Sequence, residues 1–212
     1  GALEGVSRFA MDNVGNLITA KKISDYMKSH RGSGSPDTVV NYLRHLCDAY
    51  VFERVDRFDL IGKRHLQISA KYYLGDLGLR AGQLGLHNRW IGSDLENLVF
   101  HELLRRGYRV SVGVIGNREI DFVAERSDEI VYLQVCYRID SENVRDREVA
   151  SLLDVRNANP KVVVSMDEVN PGDLSGIHHV NVIDFLRGGA LISNGSRTTG
   201  RGASLDKNSA SS

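Results

Sequence analysis

The sequence is poor in the residues that staple or anchor a chain. It has only two cysteines, Cys47 and Cys136, and three prolines in 212 residues. Two thiols, one in a helical pattern and one in a strand pattern, are too few for a disulfide scaffold or a cysteine-built zinc site. That usage fits a reducing compartment, and the expected location is cytoplasmic. No apolar run approaches the roughly 18 residues of a spanning helix, and "GALEGVSRFA" lacks the apolar centre of a secretory signal, so no membrane partner is expected. Excess charge is missing too, since 27 Lys and Arg balance 27 Asp and Glu. This excludes a globally basic nucleic-acid binder and an acidic mimic, and leaves room for a local basic face. There is no G-x-x-x-x-G-K-[ST] phosphate loop, so no nucleotide site of that kind is expected.

What is present is a chain 42% hydrophobic and 25% charged, enough for one fair core or two small ones. Glycine and serine punctuate it at "RGSGSPD" (31–37), "LGDLGLRAGQLGLHN" (74–88) and after "FLRGG" (185–189). These joints suggest two domains, residues 1–75 and 76–190, hinged around 74–92. A polar tail over 191–212 has little to bury and is expected to be disordered.

In the first part, "ITAKKISDYMKSH" places Ile18, Ile23, Tyr26 and Met27 near one helical face. Ser35 and Pro36 suit the cap and first turn of a second helix with Val39, Leu43, Leu46, Cys47 and Tyr50 facing inward. "VFERVDRFD" and "KRHLQISAKYYL" then alternate as strands joined through Gly62. Helix, turn, helix, hairpin is the order of a winged helix-turn-helix. Residues 18–75 hold ten Lys or Arg against six Asp or Glu, a balance of about +4 that favours phosphate contact. The expected DNA contacts are Thr38 and Asn41 on the second helix and Lys63 and Arg64 on the hairpin. A winged helix that only joins proteins is the competing reading, because Asp37, Asp48, Asp56 and Asp59 dilute the basic face.

In the second part, "GSDLENLVFHELLRRGYRV" reads as a helix ending at Gly107. Strands follow at 108–115, 119–125 and 129–138, then a helix over "SENVRDREVASLLDVRN", a strand at "KVVVSMDE", and a strand running into a short helix at "IHHVNVIDFLRG". The order α-β-β-β-α-β-β predicts an α/β fold with a mixed sheet.

The motifs "LENLVFHELLRRGYRV", "REIDFVAE", "YLQVCY" and "PKVVVSMDE", with the linker "KYYLGDLGLR", resemble the C-terminal region, domain-of-unknown-function family 4143, of prokaryotic AAA-type ATPases. The resemblance runs from about residue 14 to 187. It implies a winged helix followed by a restriction-endonuclease-like PD-(D/E)xK domain, and an ATPase module elsewhere as partner. By the same resemblance Glu96 matches the helical acid, Asp121 the central aspartate and Gln134 the acidic position of the (D/E)xK strand. Such a site would hold Mg²⁺ between Glu96, Asp121, Gln134 and the Val135 carbonyl, beside a scissile phosphate. Cys136 stands at the lysine position, where it supplies no positive charge. By the two-residue period of a strand, Arg138 shares the face of 134 and 136 and could supply charge but not a base.

Each of these residues also has a structural reading. Glu96 could cap its helix or pair with Arg118. Asp121 could be a buried acid needing an arginine or a backbone amide. Gln134 could serve to hydrogen-bond Asp121. His101, His178 and His179 show no ligand spacing. The expected function is a binding module for DNA or a partner protein with little or no nuclease activity and weak Mg²⁺ binding. An active Mg²⁺-dependent endonuclease, and an oligomerisation or interaction scaffold without nucleic acid, are the alternatives.

Overall fold

The computed structural model describes residues 1–30, 34–168 and 174–192. Three helices come first: α1 (Ala2–Asp12), α2 (Ala20–Ser29) and α3 (Pro36–Asp48). Thr19 caps α2 by accepting from Lys22 N, and Ser35 caps α3 by accepting from Thr38 N with Pro36 in the first turn. The periodicity of "ITAKKISDYMKSH" does not reach α1, yet Val6, Phe9, Ala10 and Met11 are buried there.

The hairpin of β1 (Phe52–Asp59) and β2 (Arg64–Leu74) is antiparallel. Its turn is held by Asp59 Oδ1, which accepts from the backbone N–H groups of Ile61 and Gly62. The register jumps between Asp56↔Ala70 and Arg57↔Leu66, so Gln67, Ile68 and Ser69 bulge from β2. An isolated bridge, Ile18↔Ala70, ties the start of α2 to the same strand.

The glycine-rich stretch expected to be a joint forms α4 (Leu77–Leu84) and a 3₁₀ turn (Asn88–Trp90). Asp76 caps α4 through Gly78 N at 2.7 Å. Arg80, 2% exposed, pairs with Asp94 and lies 4.7 Å from the Trp90 ring centroid. That buried anchor outweighs the about 1 kcal/mol that each helical glycine costs. Then come α5 (Ile91–Arg105), β3 (Arg109–Ile115), β4 (Arg118–Arg126), β5 (Glu129–Val135), α6 (Glu142–Leu153), β6 (Lys161–Ser165), β7 (His178–Asn181) and α7 (Val182–Leu186). Gly107 takes φ +81° just beyond α5, the left-handed residue expected of a helix end.

All seven strands belong to one mixed sheet in the order β2-β1-β3-β4-β5-β6-β7. β1 pairs parallel with β3, through Arg57↔Val112 to Asp59↔Val114. The sheet therefore crosses residue 80 without a break, and the hinge expected at 74–92 is corrected: a parallel pair across it and a shared core hold the two parts together. Val6, Ile23 and Leu43 from the first three helices share one core cluster with Leu103, Phe122 and Leu133. A second cluster, with Ile120, Val123, Tyr132, Val149 and Leu152, lies under α6. The tail expected to be disordered lies outside the described residues from 193 onward. Among the described residues, no helix is long and apolar enough to cross a membrane.

Candidate functional site

The bulged middle of β4 builds the site. Between the pairs Ser111↔Val123 and Gly113↔Ile120, β4 has one residue more than β3. The extra residue falls at Asp121–Phe122, and bulges of this kind re-aim side chains. Gly113 faces it, where an added Cβ would lie 2.9 Å from Val123 Cγ2. Ile120 and Val123 thus turn toward α6, while Phe122 packs against Tyr73 and Phe100 with ring centroids 5.6 and 6.1 Å away. Glu119 and Asp121, two residues apart on a strand, share the face toward α5.

At the centre of this face is Lys71 of β2, 3% exposed. Its Nζ lies 2.8 Å from Glu119 Oε1, 2.9 Å from Glu96 Oε1 and 3.3 Å from Asp121 Oδ1. An ammonium has three donors, and each finds one carboxylate. The Tyr73 hydroxyl donates to Glu96 Oε1 at 2.5 Å, and Val135 N–H donates to Asp121 Oδ2 at 2.9 Å. Gly15, at φ +75°, lies over Glu96; a Cβ there would come within 3.0 Å of Oε2. The loop between α1 and α2 thereby covers the carboxylate.

The electrostatics follow from three acids and one buried cation. Burial alone would lower the Lys71 pKa, but the charges of Asp121, Glu96 and Glu119 outweigh it and hold the ammonium protonated. Burial and the charge of Asp121 push Glu96 up to about 7, against the pull of Lys71. Tyr73 is raised well above its ordinary value, first by burial and then by Glu96, so it remains a donor. A value near 7 lets Glu96 take up a proton as pH falls through neutral, which removes part of the cluster's surplus negative charge.

Glu96 and Asp121 are thus brought together, around a cation from outside the expected motif. Glu96 neither caps α5 nor meets Arg118, which pairs with Asp154 at 3.0 Å. Gln134 Oε1 accepts from Asp121 N–H at 3.3 Å and from the Ser151 hydroxyl at 3.4 Å, so its amide is turned toward α6. It lines a polar groove of about 430 Å³ with Glu119, Arg147 and Glu148. At Val135 the backbone N–H, not the expected carbonyl, serves the site. Arg138 is corrected: β5 ends at Val135, so the strand period does not extend to 138, and the exposed guanidinium lies 5.5 Å from the Tyr137 ring centroid. Cys136 is packed under α6, and burial followed by the charge of Glu148 pushes its thiol up to about 12. Among the described residues, no three His, Cys, Asp or Glu side chains are grouped to hold a metal. The donor set does not fit Mg²⁺ either, because the Lys71 ammonium stands between the carboxylates that would bind it.

Lys71 is the residue that sequence reasoning missed. Its signal is the phrase "SAKYYL", a lysine inside a run too apolar for a charge that lacks a partner. A further trio, Ser165, Asp167 and His179, is not a catalytic triad. Its fully buried hydroxyl sits between the two partners, donating to Asp167 Oδ2 at 2.7 Å and lying 2.8 Å from His179 Nε2. In a triad the imidazole occupies that middle place.

The expected DNA contacts stand on two elements, α3 and the β1–β2 hairpin. Thr38 Oγ1 lies 3.0 Å from Ser35 Oγ at the start of α3, and Asn41 is exposed one turn on. Lys63 is exposed at φ +50° in the hairpin turn, and Arg64 lies 3.7 Å from Asp59. Arg54 pairs with Asp56 at 2.7 Å. Two of the hairpin's arginines, Arg54 and Arg64, are therefore matched by its own carboxylates.

Comparison with known proteins corrects the family expectation. The matching family model is a domain of unknown function, DUF8612, over residues 1–89, in place of family 4143. An uncharacterized protein of Haemophilus influenzae is 38% identical over 184 residues, 87% of this chain and 45% of that protein. An uncharacterized protein of Methanocaldococcus jannaschii is 29% identical over 168 residues, covering 72% of this chain and 36% of that one. The chain thus spans less than half the length of either relative. Neither is described as an AAA-type ATPase or as DNA-binding, so the expectations of a C-terminal ATPase piece, of an ATPase partner and of DNA binding all lose their support. The solved structure of protein VC1899 from Vibrio cholerae covers 88% of this chain and 53% of its own at 10% identity, with a TM-score of 0.29, too low to carry an argument.

Proposed function

We propose that this chain is a protein-binding module: a winged helix built onto a restriction-endonuclease-like sheet whose carboxylate cluster has been closed by an internal cation and no longer hydrolyses phosphodiesters. The observation that carries the reading is Lys71, whose ammonium meets three carboxylates within 3.3 Å at 3% exposure. Metal-assisted hydrolysis needs a cation that can bind water and an oxygen of the substrate. An ammonium does not activate water as a Lewis acid, the three donors of Lys71 already face carboxylates, and Gly15 covers Glu96. The helix order and the short bridge Ile18↔Ala70 support the winged-helix description. The paired charges of the hairpin favour a protein partner over a duplex.

One observation favours a second reading. Lys71 Nζ stands 3.3 Å from Asp121, so β2 could supply the positive charge that Cys136 does not, which would make the chain a hydrolase. Incubating the purified chain with supercoiled plasmid and Mg²⁺ or Mn²⁺ separates the two. No EDTA-sensitive nicking is expected. Nicking that disappears in both Asp121→Ala and Lys71→Ala would establish the hydrolase and overturn the proposal.

A further inference from the structure

On the other face of β2 lies a groove that the carboxylate cluster does not use. It encloses about 360 Å³ between α3, the start of α2 and β2. Ile18, Leu43, Ala70 and Tyr72 form its floor, each no more than 7% exposed. Val40 on α3 and Ile68 on the bulge stand at its rim, 54% and 89% exposed. Isolated exposed aliphatics are ordinary, but two that flank one apolar groove form a patch of the kind that marks interaction sites. The only charged residues in the lining are Arg44 and Arg54, with no carboxylate among them. Arg54 already meets Asp56, whereas Arg44 has no ion-pair partner among the described residues.

We infer that this groove docks an amphipathic helix of another protein, with aliphatic side chains entering between Val40 and Ile68 and a carboxylate meeting Arg44. Charge complementarity selects an acidic partner, because the lining carries Arg44 without an ion-pair partner among the described residues and no carboxylate of its own. The bulge selects a helix over an extended strand. β2 is an edge strand, and strand addition needs a regular row of free backbone groups, which the three bulged residues interrupt. A volume of this size admits a few aliphatic side chains, as helix-in-groove recognition uses at i, i+3 and i+4. The inference rests on the reading of the chain as a protein-binding module, and it names where and what the module binds.

The test uses the whole chain and a fluorescein-labelled helical peptide of about 12 residues with leucine at i, i+3 and i+4 and glutamate between. Fluorescence anisotropy should show saturable binding, and none to the same peptide with lysine for glutamate. Ile68→Glu and Arg44→Glu should each weaken binding more than about tenfold, the effect of removing a central contact. Ile61→Glu, at an exposed position outside the groove, should leave it unchanged. All three positions are on the surface, and unchanged melting curves show that the variants fold. Absence of peptide binding, equal binding of the lysine version, or an unaffected Arg44→Glu would overturn the inference. So would duplex DNA binding lost in Arg44→Glu, or a concentration-dependent dimer lost in Ile68→Glu, which would make the occupant nucleic acid or a second copy. These variants leave the Lys71 cluster intact, so the plasmid assay tests the non-hydrolytic reading separately.

Discussion

Replacing Lys71 with Met removes the cation and keeps most of the side-chain volume, which makes it the sharpest perturbation of this fold. Three carboxylates are left facing one another, with side chains 11%, 13% and 33% exposed for Asp121, Glu96 and Glu119. Taking one partner out of a buried ion pair costs about 3–5 kcal/mol, because the remaining charge is left without compensation. Glu119 is a third exposed, so solvent screens much of its share, and the loss arises mainly from Glu96 and Asp121. In a chain of this length each kcal/mol moves the melting temperature by about 2–4 °C, so a fall of about 6–20 °C is expected at pH 8. The deficit should shrink at pH 5, where Glu96, with its pKa near 7, is protonated and one repelling charge is gone. Adding Glu96→Gln to Lys71→Met should recover part of the loss at pH 8, with a coupling of about 1–3 kcal/mol between the two sites. Circular-dichroism melts of the four proteins measure all of this. A single mutant within about 2 °C of the parent at pH 8 would show that the ammonium is dispensable, and the account of the cluster would fail.

Two further outcomes follow from the titrations. The Glu96 pKa rises from 4.5 to about 7 on folding, so the native state holds this proton more tightly; its stabilisation is full below pH 4.5, declines as pH rises through about 7, and is flat above. Urea unfolding from about pH 5 to 8 should show this decline in the parent and a smaller one in Glu96→Gln, and equal slopes would refute the assignment. The thiols should react unequally with a disulfide reagent at mild alkaline pH: Cys47, half-buried and pushed up to about 11 by burial and then Glu53, before Cys136, 8% exposed and pushed up to about 12. Cys47→Ser should remove the faster phase, and loss of that phase in Cys136→Ser instead would contradict the packing under α6.

Local signals carried most of the element order. Ser35, Pro36 and Gly107 mark helix ends by their own chemistry, and the alternation in "VFERVDRFD" needs no distant partner to be read as a strand. The failures share a cause, which is that a tertiary contact outweighs the local preference. Four glycines in 75–85 argue for a loop, but Asp76 caps a helix there and Arg80 anchors it to Asp94 and Trp90. The change of pattern at that stretch suggests a hinge. Periodicity cannot announce that Arg57 of β1 will pair with Val112 of β3. The site divides in the same way. Glu96 and Asp121 were legible as acids placed against apolar neighbours, whereas their cation lay in what read as an ordinary hairpin strand. Arg138 failed for a simpler reason, because a two-residue period holds only while the strand lasts, and β5 stops at Val135.

The position of β2 connects the two surfaces of this protein. Its side chains alternate between faces, so Ala70 and Tyr72 floor the groove while Lys71 and Tyr73 enter the carboxylate cluster. A slip of one residue in the β1–β2 register would expose the ammonium to the groove and bury an alanine among three acids. The bulge at 67–69 lies directly before this segment and absorbs the irregularity, while Asp56↔Ala70 and Val55↔Lys71 restart the ladder in register. The Lys71 ion pairs therefore do more than neutralise the acids. A charge with three fixed partners admits one register, and an apolar residue at that position would bury comparable area without discriminating so strongly between registers. On this argument the cluster sets the shape of the groove on the opposite face, because the pairing that seats Lys71 also presents Ala70 and Tyr72 to α3.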